Sequence, residues 1–256
     1  MRLYGDLRSG NCYKVWLLAR WLELPLEWVE VDIQAGDTRT PAFLAMNSNG
    51  KIPVLEIGQG DTLAESNAIL FYLAQGSALW PTDPRQQAEV LKWMFFEQYS
   101  HEPYIAVARF IVHYLGRPES QEARLDGLKA GGEKALAVME QQLKQSPYLC
   151  GDTPTIADIA LYAYTHVAEE GIFSLQGWPA IRSWIARIEA HPRHLTLPAP
   201  VRPADGTADR GDSVATAVGC AVAALAAARS SLAAATGQRG GRRPRSNRCS
   251  LGEQPT

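Results

Sequence analysis

The chain has 256 residues, of which 46% are hydrophobic and 20% charged, and its formal net charge is −2. This composition is ordinary for a globular protein of one or two domains and excludes a basic nucleic-acid binder. The four cysteines, Cys12, Cys150, Cys220 and Cys249, fit neither a disulfide framework nor paired metal-ligand spacings. We therefore expect a cytoplasmic protein with free thiols, without a metal and without a nucleic-acid partner.

The first 75 residues alternate strand and helix patterns in the α/β manner. The predicted elements, in chain order, are a strand Arg2–Gly5, a loop ending at Asn11, a helix Cys12–Leu22, a strand Leu26–Val31, a helix opening at Thr40-Pro41, strands Ile52–Ile57 and Thr62–Ala64, and a helix Ser66–Ala74. This order is βαβ, then a helix, then ββα. We expect an α/β domain over residues 1–77.

Only helix patterns follow the linker at positions 76–84, which contains Gly, Ser, Asp and two Pro. They predict a long helix Gln87–Leu115 bent near Ser100 because of Pro103, an amphipathic helix Leu125–Leu143, a helix opened by the capping box Thr155–Asp158, and a helix Trp178–Ala190. We expect an all-helical domain over residues 86–197.

The end of the chain has a different composition. From Val201 onward there are eight arginines, no lysine, no aromatic residue and four acidic residues. The apolar stretch Val214–Ala228 is shorter than the about 20 residues that a membrane span needs. Such a sequence buries too little apolar surface to offset its ordering entropy. We expect a disordered tail over residues 198–256 and no membrane partner.

Three short motifs in the first domain carry candidate binding chemistry. Ser9-Gly10-Asn11-Cys12 opens a helix whose N-terminal N–H groups favour an anion such as a thiolate, and the Ser9 hydroxyl can donate to that sulfur. Ile52-Pro53 lies where backbone groups stay available to an added peptide strand. Because most X-Pro bonds are trans, the residues alone predict a trans bond here. Glu65-Ser66 can take an ammonium and a carboxylate, the two charges of an amino-acid head group.

Each motif alone also fits a helix cap or a strand start. Together with the box Thr155-Ile156-Ala157-Asp158, and in this order, the three motifs resemble those of the cytosolic glutathione transferase superfamily. The resemblance covers about residues 1–195 and is strongest to bacterial members that use serine. It implies a thioredoxin-like domain joined to an all-helical domain, in agreement with the predicted elements.

The resemblance implies a glutathione transferase with glutathione as co-substrate, no metal and a role in detoxification. Ser9 would be the catalytic residue, activating the sulfur as a thiolate for attack on a small hydrophobic electrophile. The implied glutathione-binding residues are Asn11 at the thiolate, Ile52 and a cis Pro53 at the cysteinyl part, Glu65 and Ser66 at the γ-glutamyl end, and Lys51 at the glycyl end. Asp158 would serve folding, and a homodimer is expected.

Two other functions remain open from the sequence. A thiol oxidoreductase is one, because Ser9-x-x-Cys12 resembles a redox Cys-x-x-Cys loop with its first cysteine replaced. A non-catalytic glutathione-binding interaction module is the other. The second substrate is expected between the Ser9 loop and the long helix, where Tyr99, Tyr104 and Arg109 are candidates. The sequence leaves open the class, the electrophile, and the balance of conjugation, peroxidase and isomerase activity.

Overall fold

The computed structural model describes residues 1–58 and 60–197, so the tail predicted over 198–256 lies outside the described residues. The strands are β1 (Arg2–Gly5), β2 (Glu27–Glu30), β3 (Val54–Gly58) and β4 (Asp61–Ala64). The helices are α1 (Gly10–Trp21), α2 (Pro41–Met46), α3 (Ser66–Leu73), α4 (Pro84–Phe96), α5 (Glu102–His113), α6 (Glu122–Leu143), α7 (Ile156–Thr165) and α8 (Pro179–Glu189). The domain boundaries expected at 77, 86 and 197 stay predictions.

The four strands form one mixed sheet in the order β2-β1-β3-β4. β1 pairs parallel with β2 across the α1 crossover and antiparallel with β3, and β3 pairs antiparallel with β4. Leu3 lies on the central strand β1 opposite Trp28 and Leu55 and is fully buried. The element order confirms the predicted βαβ-α-ββα arrangement, and the domain is thioredoxin-like.

The long helix predicted after the linker is present and divided at the expected place. A π-helical segment, Glu97–His101, joins α4 to α5, and Pro103 lies in the first turn of α5. Proline lacks an N–H donor, so the regular hydrogen-bond ladder cannot continue through it. The π-helical segment lies where the bend was expected, and its first residue, Glu97, is fully buried.

Helix α7 is the centre of the helical part. All of its residues are buried, and it packs against α1, α3, α4 and α5. Thr155 caps it with the predicted capping box, whose N3 residue is Asp158. The α/β part and the helical part therefore share one continuous core around α7.

Two element boundaries differ from the predictions in a way that bears on function. Helix α1 begins at Gly10, two residues earlier than predicted, because Ser9 is its N-cap. Asn11 therefore lies in the first helical turn and not in a loop. Strand β3 begins at Val54, so Ile52 takes no part in the sheet pairing. Pro53 has no N–H to offer a neighbouring strand, which accounts for the later start.

Candidate functional site

The loop between β1 and α1 is fixed by charged side chains. Arg8 donates from Nε and Nη2 to the buried Asp6 carboxylate at 3.0 and 2.7 Å. The Asp6 carbonyl accepts from the Ser9 backbone N–H at 3.0 Å. Arg109, in α5, donates from Nη1 to the Arg8 carbonyl at 2.7 Å. These contacts hold Ser9 at one place relative to the helical part.

Arg109 is a correction to the sequence analysis, which made it a candidate for contact with the second substrate. Its side chain is only 2% exposed, and Nε donates to Glu170 at 2.6 Å. The sequence alone does not show that the side chain of this helical arginine is buried. Here Nε binds Glu170 and Nη1 binds the loop, while Nη2 is buried without a hydrogen-bond partner, so in the described structure the side chain supports the loop from the interior.

Ser9 lies at the N-terminus of α1 with extended backbone and partly exposed side chain. Its Oγ accepts from the Cys12 backbone N–H at 3.5 Å, a long contact for a cap. The Tyr164 ring packs on Gly10, where an added Cβ would lie 2.6 Å from the ring, so this ring lies beside the turn that Ser9 opens. Burial raises the pKa of Tyr164 far above its usual value, so this hydroxyl stays protonated.

Asn11 joins the first turns of α1 and α3. Ser66, the first residue of α3, donates from Oγ to Asn11 Oδ1 at 3.2 Å. Two of the predicted site residues, Asn11 and Ser66, are therefore in direct contact although they lie 55 positions apart.

Glu65 and Ser66 stand at the start of α3 with different exposures. Ser66 is buried and Glu65 is exposed. Glu65 has φ 68°, in the left-handed region that favours glycine, and its side chain makes no cap hydrogen bond. The left-handed backbone of Glu65 therefore belongs to the turn between β4 and α3 and does not depend on a hydrogen bond from its own side chain to the helix end. The roles predicted for both residues at a γ-glutamyl group stay predictions.

The Ile52–Pro53 peptide bond is cis. This corrects the trans bond predicted from the residues alone and agrees with the bond that the resemblance implied. The trans preference of an X-Pro bond is only about 0.5–1 kcal/mol, so the surrounding fold can outweigh it. Pro53 is buried, Ile52 is partly buried, and Lys51 is exposed, with its carbonyl accepting from Asn47 Nδ2 at 2.8 Å.

Cys12 is fully enclosed behind the N-terminus of α1. Its exposure is 0%, and burial raises the pKa of its thiol to about 12. A thiolate is the nucleophile in disulfide exchange, so this thiol is poorly suited to that chemistry. Within residues 1–58 and 60–197 no group of three or more His, Cys, Asp or Glu side chains is arranged to bind a metal ion. No helix in that part is long and apolar enough to cross a membrane.

Sequence analysis missed one polar residue of this site, Tyr164. It lies in α7, and its ring packs on Gly10, next to Ser9. No local motif in the sequence marks this residue, because its partner lies in a distant segment. Of the other second-substrate candidates, Tyr99 is 57% exposed and Tyr104 packs on Gly131. Their contact with a substrate stays a prediction.

The chain matches two family profiles, "Glutathione S-transferase, N-terminal domain" over residues 8–75 and "Glutathione S-transferase, C-terminal domain" over residues 93–192. The crystal structure of a glutathione S-transferase from Pseudomonas fluorescens is similar, with 58% identity, a TM-score of 0.76, and 77% of this chain and 98% of that one covered.

Curated relatives include a glutathione S-transferase of Hyoscyamus muticus, 31% identical with 75% of this chain and 94% of that protein covered. Another is the disulfide-bond oxidoreductase YfcG of Escherichia coli, 28% identical with 72% of this chain and 88% of that protein covered. All these comparisons point to one family, and the thioredoxin-like part followed by a helical part agrees with them. The chain belongs to the glutathione S-transferase superfamily.

Proposed function

We propose that this protein is a glutathione transferase of the serine type, which binds glutathione, holds its thiol as a thiolate and lets it attack an electrophilic carbon. The observation that carries the proposal is the placement of the partly exposed Ser9 hydroxyl at the N-terminus of α1, with the Tyr164 ring packed on the next residue, Gly10. Hydroxyl donors and free helix N–H groups favour an anion at that point.

The hydrogen bond from Ser9 and the helix N-terminus are together strong enough to keep the glutathione thiol ionised at pH 7. A cysteine-like thiol has a pKa of about 8.5, and making it mostly thiolate at pH 7 needs a preference for the anion of roughly 2.7 kcal/mol. One hydrogen bond to a charged group contributes about 1.5–3 kcal/mol, and a helix N-terminus adds about 0.3–1 kcal/mol. Ser9 and the N-terminus of α1 together reach that value.

The remaining predicted residues complete the proposed glutathione site. Ile52, outside the sheet pairing, offers its backbone to the cysteinyl part, next to cis Pro53. Ser66 and the first N–H groups of α3 take the γ-glutamyl carboxylate, and Glu65 takes the ammonium. Asn11, which already contacts Ser66, links this end to the thiolate. Exposed Lys51 takes the glycyl carboxylate.

The proposal includes a cytoplasmic location and a small hydrophobic electrophile as second substrate, bound between the Ser9 loop and the helices α4 and α5. Tyr99 and Tyr104 are the proposed contacts there. Arg109 is not among them, because its side chain is only 2% exposed and its Nε and Nη1 are bound in the interior.

The test is a titration with glutathione by calorimetry, together with a conjugation screen using an aromatic halide, an epoxide and an alkyl hydroperoxide. Ser66→Ala should weaken glutathione binding about 10-fold, because one charge-assisted hydrogen bond is lost. Ser120→Ala, an exposed serine of the helical part, is the matched control and should bind as the wild type does. Absence of glutathione binding at millimolar concentration would refute the proposal.

A second candidate, glutathione-dependent disulfide reduction, is favoured by the similarity to YfcG. The Ser9-x-x-Cys12 loop is poorly suited to that reaction, since Cys12 is fully buried with a raised thiol pKa, and the sulfur of bound glutathione would be the reacting thiol instead. Intact-mass analysis after incubation with oxidised glutathione separates the routes. A mixed disulfide on Cys12 would restore the redox-loop hypothesis, whereas disulfide reduction without protein adducts would support the glutathione route.

A further inference from the structure

A small cavity lies between α1, β2 and the chain that follows α8. Its volume is about 100 Å³. Its lining is aromatic and aliphatic apart from one threonine and consists of Leu7, Tyr13, Trp16, Trp28, Leu195 and Thr196. None of these residues is among the proposed contacts of glutathione or of the electrophile. The cavity is therefore separate from the function proposed above.

The two tryptophans of the lining are held in one arrangement. The rings of Trp16 in α1 and Trp28 in β2 meet edge to face, with their centroids 5.3 Å apart and their planes at 87°. Trp28 Nε1 donates to Glu30 Oε2 at 2.7 Å. An added Cβ on Gly5 would lie 3.1 Å from the Trp28 ring, so the glycine leaves the room that this ring occupies.

Another wall of the cavity comes from the chain after α8, which is fastened to α1. The Tyr13 hydroxyl donates to the Leu195 carbonyl. The His191 ring stacks on the Trp21 ring with centroids 3.9 Å apart, and Arg193 Nη1 donates to the Trp21 carbonyl at 3.3 Å. Because these contacts are made within the chain itself, the cavity is formed before a ligand enters it.

The cavity offers a ligand no charged group and little polar chemistry. No lining side chain carries a charge. The Tyr13 hydroxyl is already bound to the Leu195 carbonyl, and the Trp28 indole N–H is bound to Glu30. A charged ligand would lose its hydration here without gaining a partner, whereas an apolar ligand gains free energy by leaving water.

We infer that this cavity binds a small uncharged aromatic molecule with a single six-membered ring. An apolar cavity of about 150 Å³ accommodates benzene. The smaller volume here opens to solvent at the exposed residues Leu7 and Thr196, so one edge of the ring stays at the surface. Contact with the faces and edges of Trp16 and Trp28 favours an aromatic ring over an aliphatic one by about 2- to 10-fold in affinity.

The inferred ligand would also contact the loop that carries Ser9, because Leu7 lies two residues before Ser9. The inference does not depend on the proposed function. Failure of glutathione to bind would refute the transferase proposal and would leave a ligand in this cavity unaffected.

The test titrates the full chain, isotope-labelled at its tryptophans, with toluene and follows the indole N–H signals by NMR. The Trp16 and Trp28 signals should shift together and saturate with a dissociation constant of about 0.1–1 mM, which is within reach of a ligand of seven heavy atoms. Methylcyclohexane has a similar size without an aromatic face and should bind about 2- to 10-fold more weakly. No saturable shift of these two signals at the solubility limit of toluene would overturn the inference.

Matched variants locate the binding. Leu7→Ala shortens a lining side chain and should weaken toluene binding about 5-fold, because the ligand loses apolar contact. Val138→Ala shortens a side chain on α6 with the same 40% exposure and should bind toluene as the wild type does. Trp28→Ala should weaken binding more than about 10-fold, read from the Trp16 signal. Because Leu7 is exposed, its variant tests the inference even if Trp28→Ala does not fold. Equal affinities of Leu7→Ala and Val138→Ala would contradict it.

Two further titrations separate this cavity from other places that an apolar molecule could occupy. Toluene affinity should be the same with and without saturating glutathione, and competition between them would place toluene in the proposed catalytic site. The affinity should also be independent of protein concentration. A loss of toluene binding as the protein concentration rises would show that a second copy of the chain fills the cavity. Either result would overturn the inference.

Discussion

At the residue scale, Asp158 shows how a local capping motif becomes a structural centre. It is fully buried, and its two carboxylate oxygens accept four hydrogen bonds. The donors are the Leu149 N–H at 2.9 Å, the Thr155 N–H at 2.8 Å, the Thr155 hydroxyl at 3.1 Å and the Trp184 Nε1–H at 2.9 Å. Asp158 therefore ties the start of α7 to the preceding turn and to α8.

Asp158→Ala should lower the free energy of unfolding by about 3–5 kcal/mol, more than the 0.5–2 kcal/mol of a simple cap, because it leaves several buried donors unpaired. Urea unfolding measures this loss. Asp152→Ala, an exposed acid six residues earlier, should stay within about 0.5 kcal/mol of the wild type. Glutathione affinity of the folded fraction should be unchanged. A cost for Asp158→Ala below about 1 kcal/mol would show that the four bonds contribute little.

Residue types at caps and turns were predictable because their causes are local. Thr155–Asp158 and Thr40-Pro41 satisfy helix N-termini through residues three positions apart or fewer. Tyr164 was missed because it approaches Gly10 of α1 from a distant part of the chain. Arg109 was misjudged for the same reason, since its partner Glu170 lies 61 positions away.

At the element scale, a buried ion pair connects the two parts of the protein. Lys14 Nζ of α1 lies 3.2 Å from Glu97 Oε1 in the π-helical segment, and both side chains have 0% exposure. Asn67 of α3 accepts from Lys14 at 3.0 Å and donates to Glu97 Oε2 at 2.9 Å. The widened turn thus brings an acid to a lysine that would otherwise be buried without a countercharge.

Glu97→Gln should cost about 3–5 kcal/mol of unfolding free energy, because it leaves the Lys14 ammonium buried and uncompensated. The double variant Lys14→Met with Glu97→Gln should cost less than the sum of the two single variants, since no isolated charge remains. Denaturant unfolding of the four proteins gives the coupling energy. Additive costs would mean that the pair is not coupled.

The order of the elements was predictable from the sequence, but the way they pack was not. Hydrophobic spacing of three and four predicted α6, and Pro103 predicted the bend between α4 and α5. The central position of α7 depends on contacts with α1, α3, α4 and α5, which involve separate segments of the chain. No local period encodes those contacts.

At the scale of the whole molecule, aromatic side chains remain exposed on α3 and α4. Phe95 is 68% exposed, and Phe71 and Tyr72 are each 42% exposed. The two helices are joined where Asn67 Nδ2 donates to the Met94 carbonyl at 3.3 Å, one residue before Phe95. Large exposed apolar surfaces mark interaction sites, which supports the expected homodimer.

Phe95→Asp should shift the protein toward monomers at micromolar concentration, because a charge would be desolvated in the interface. Sedimentation velocity measures the change. Val138→Asp places the same charge on α6, where Val138 is 40% exposed, and should leave the dimer intact. A wild-type monomer, or equal effects from both variants, would contradict the assignment of this surface.

The central claim is that Ser9 stabilises the thiolate, and Ser9→Ala tests it. One hydrogen bond to a charged group, about 1.5–3 kcal/mol, corresponds to about one to two pKa units. The variant should raise the pKa of the bound thiol by that amount and slow conjugation about 10- to 100-fold at neutral pH. Ser9→Thr keeps the hydroxyl, and S-methylglutathione binding shows that the site is intact.

The most direct measurement is the ultraviolet absorbance of the bound thiolate, titrated with pH in wild type, Ser9→Ala and Ser9→Thr. Wild type and Ser9→Thr should titrate at similar low pH, and Ser9→Ala about one to two units higher. If all three titrate alike and Ser9→Ala keeps its turnover, Ser9 is only the cap of α1, and the account of thiol activation is wrong.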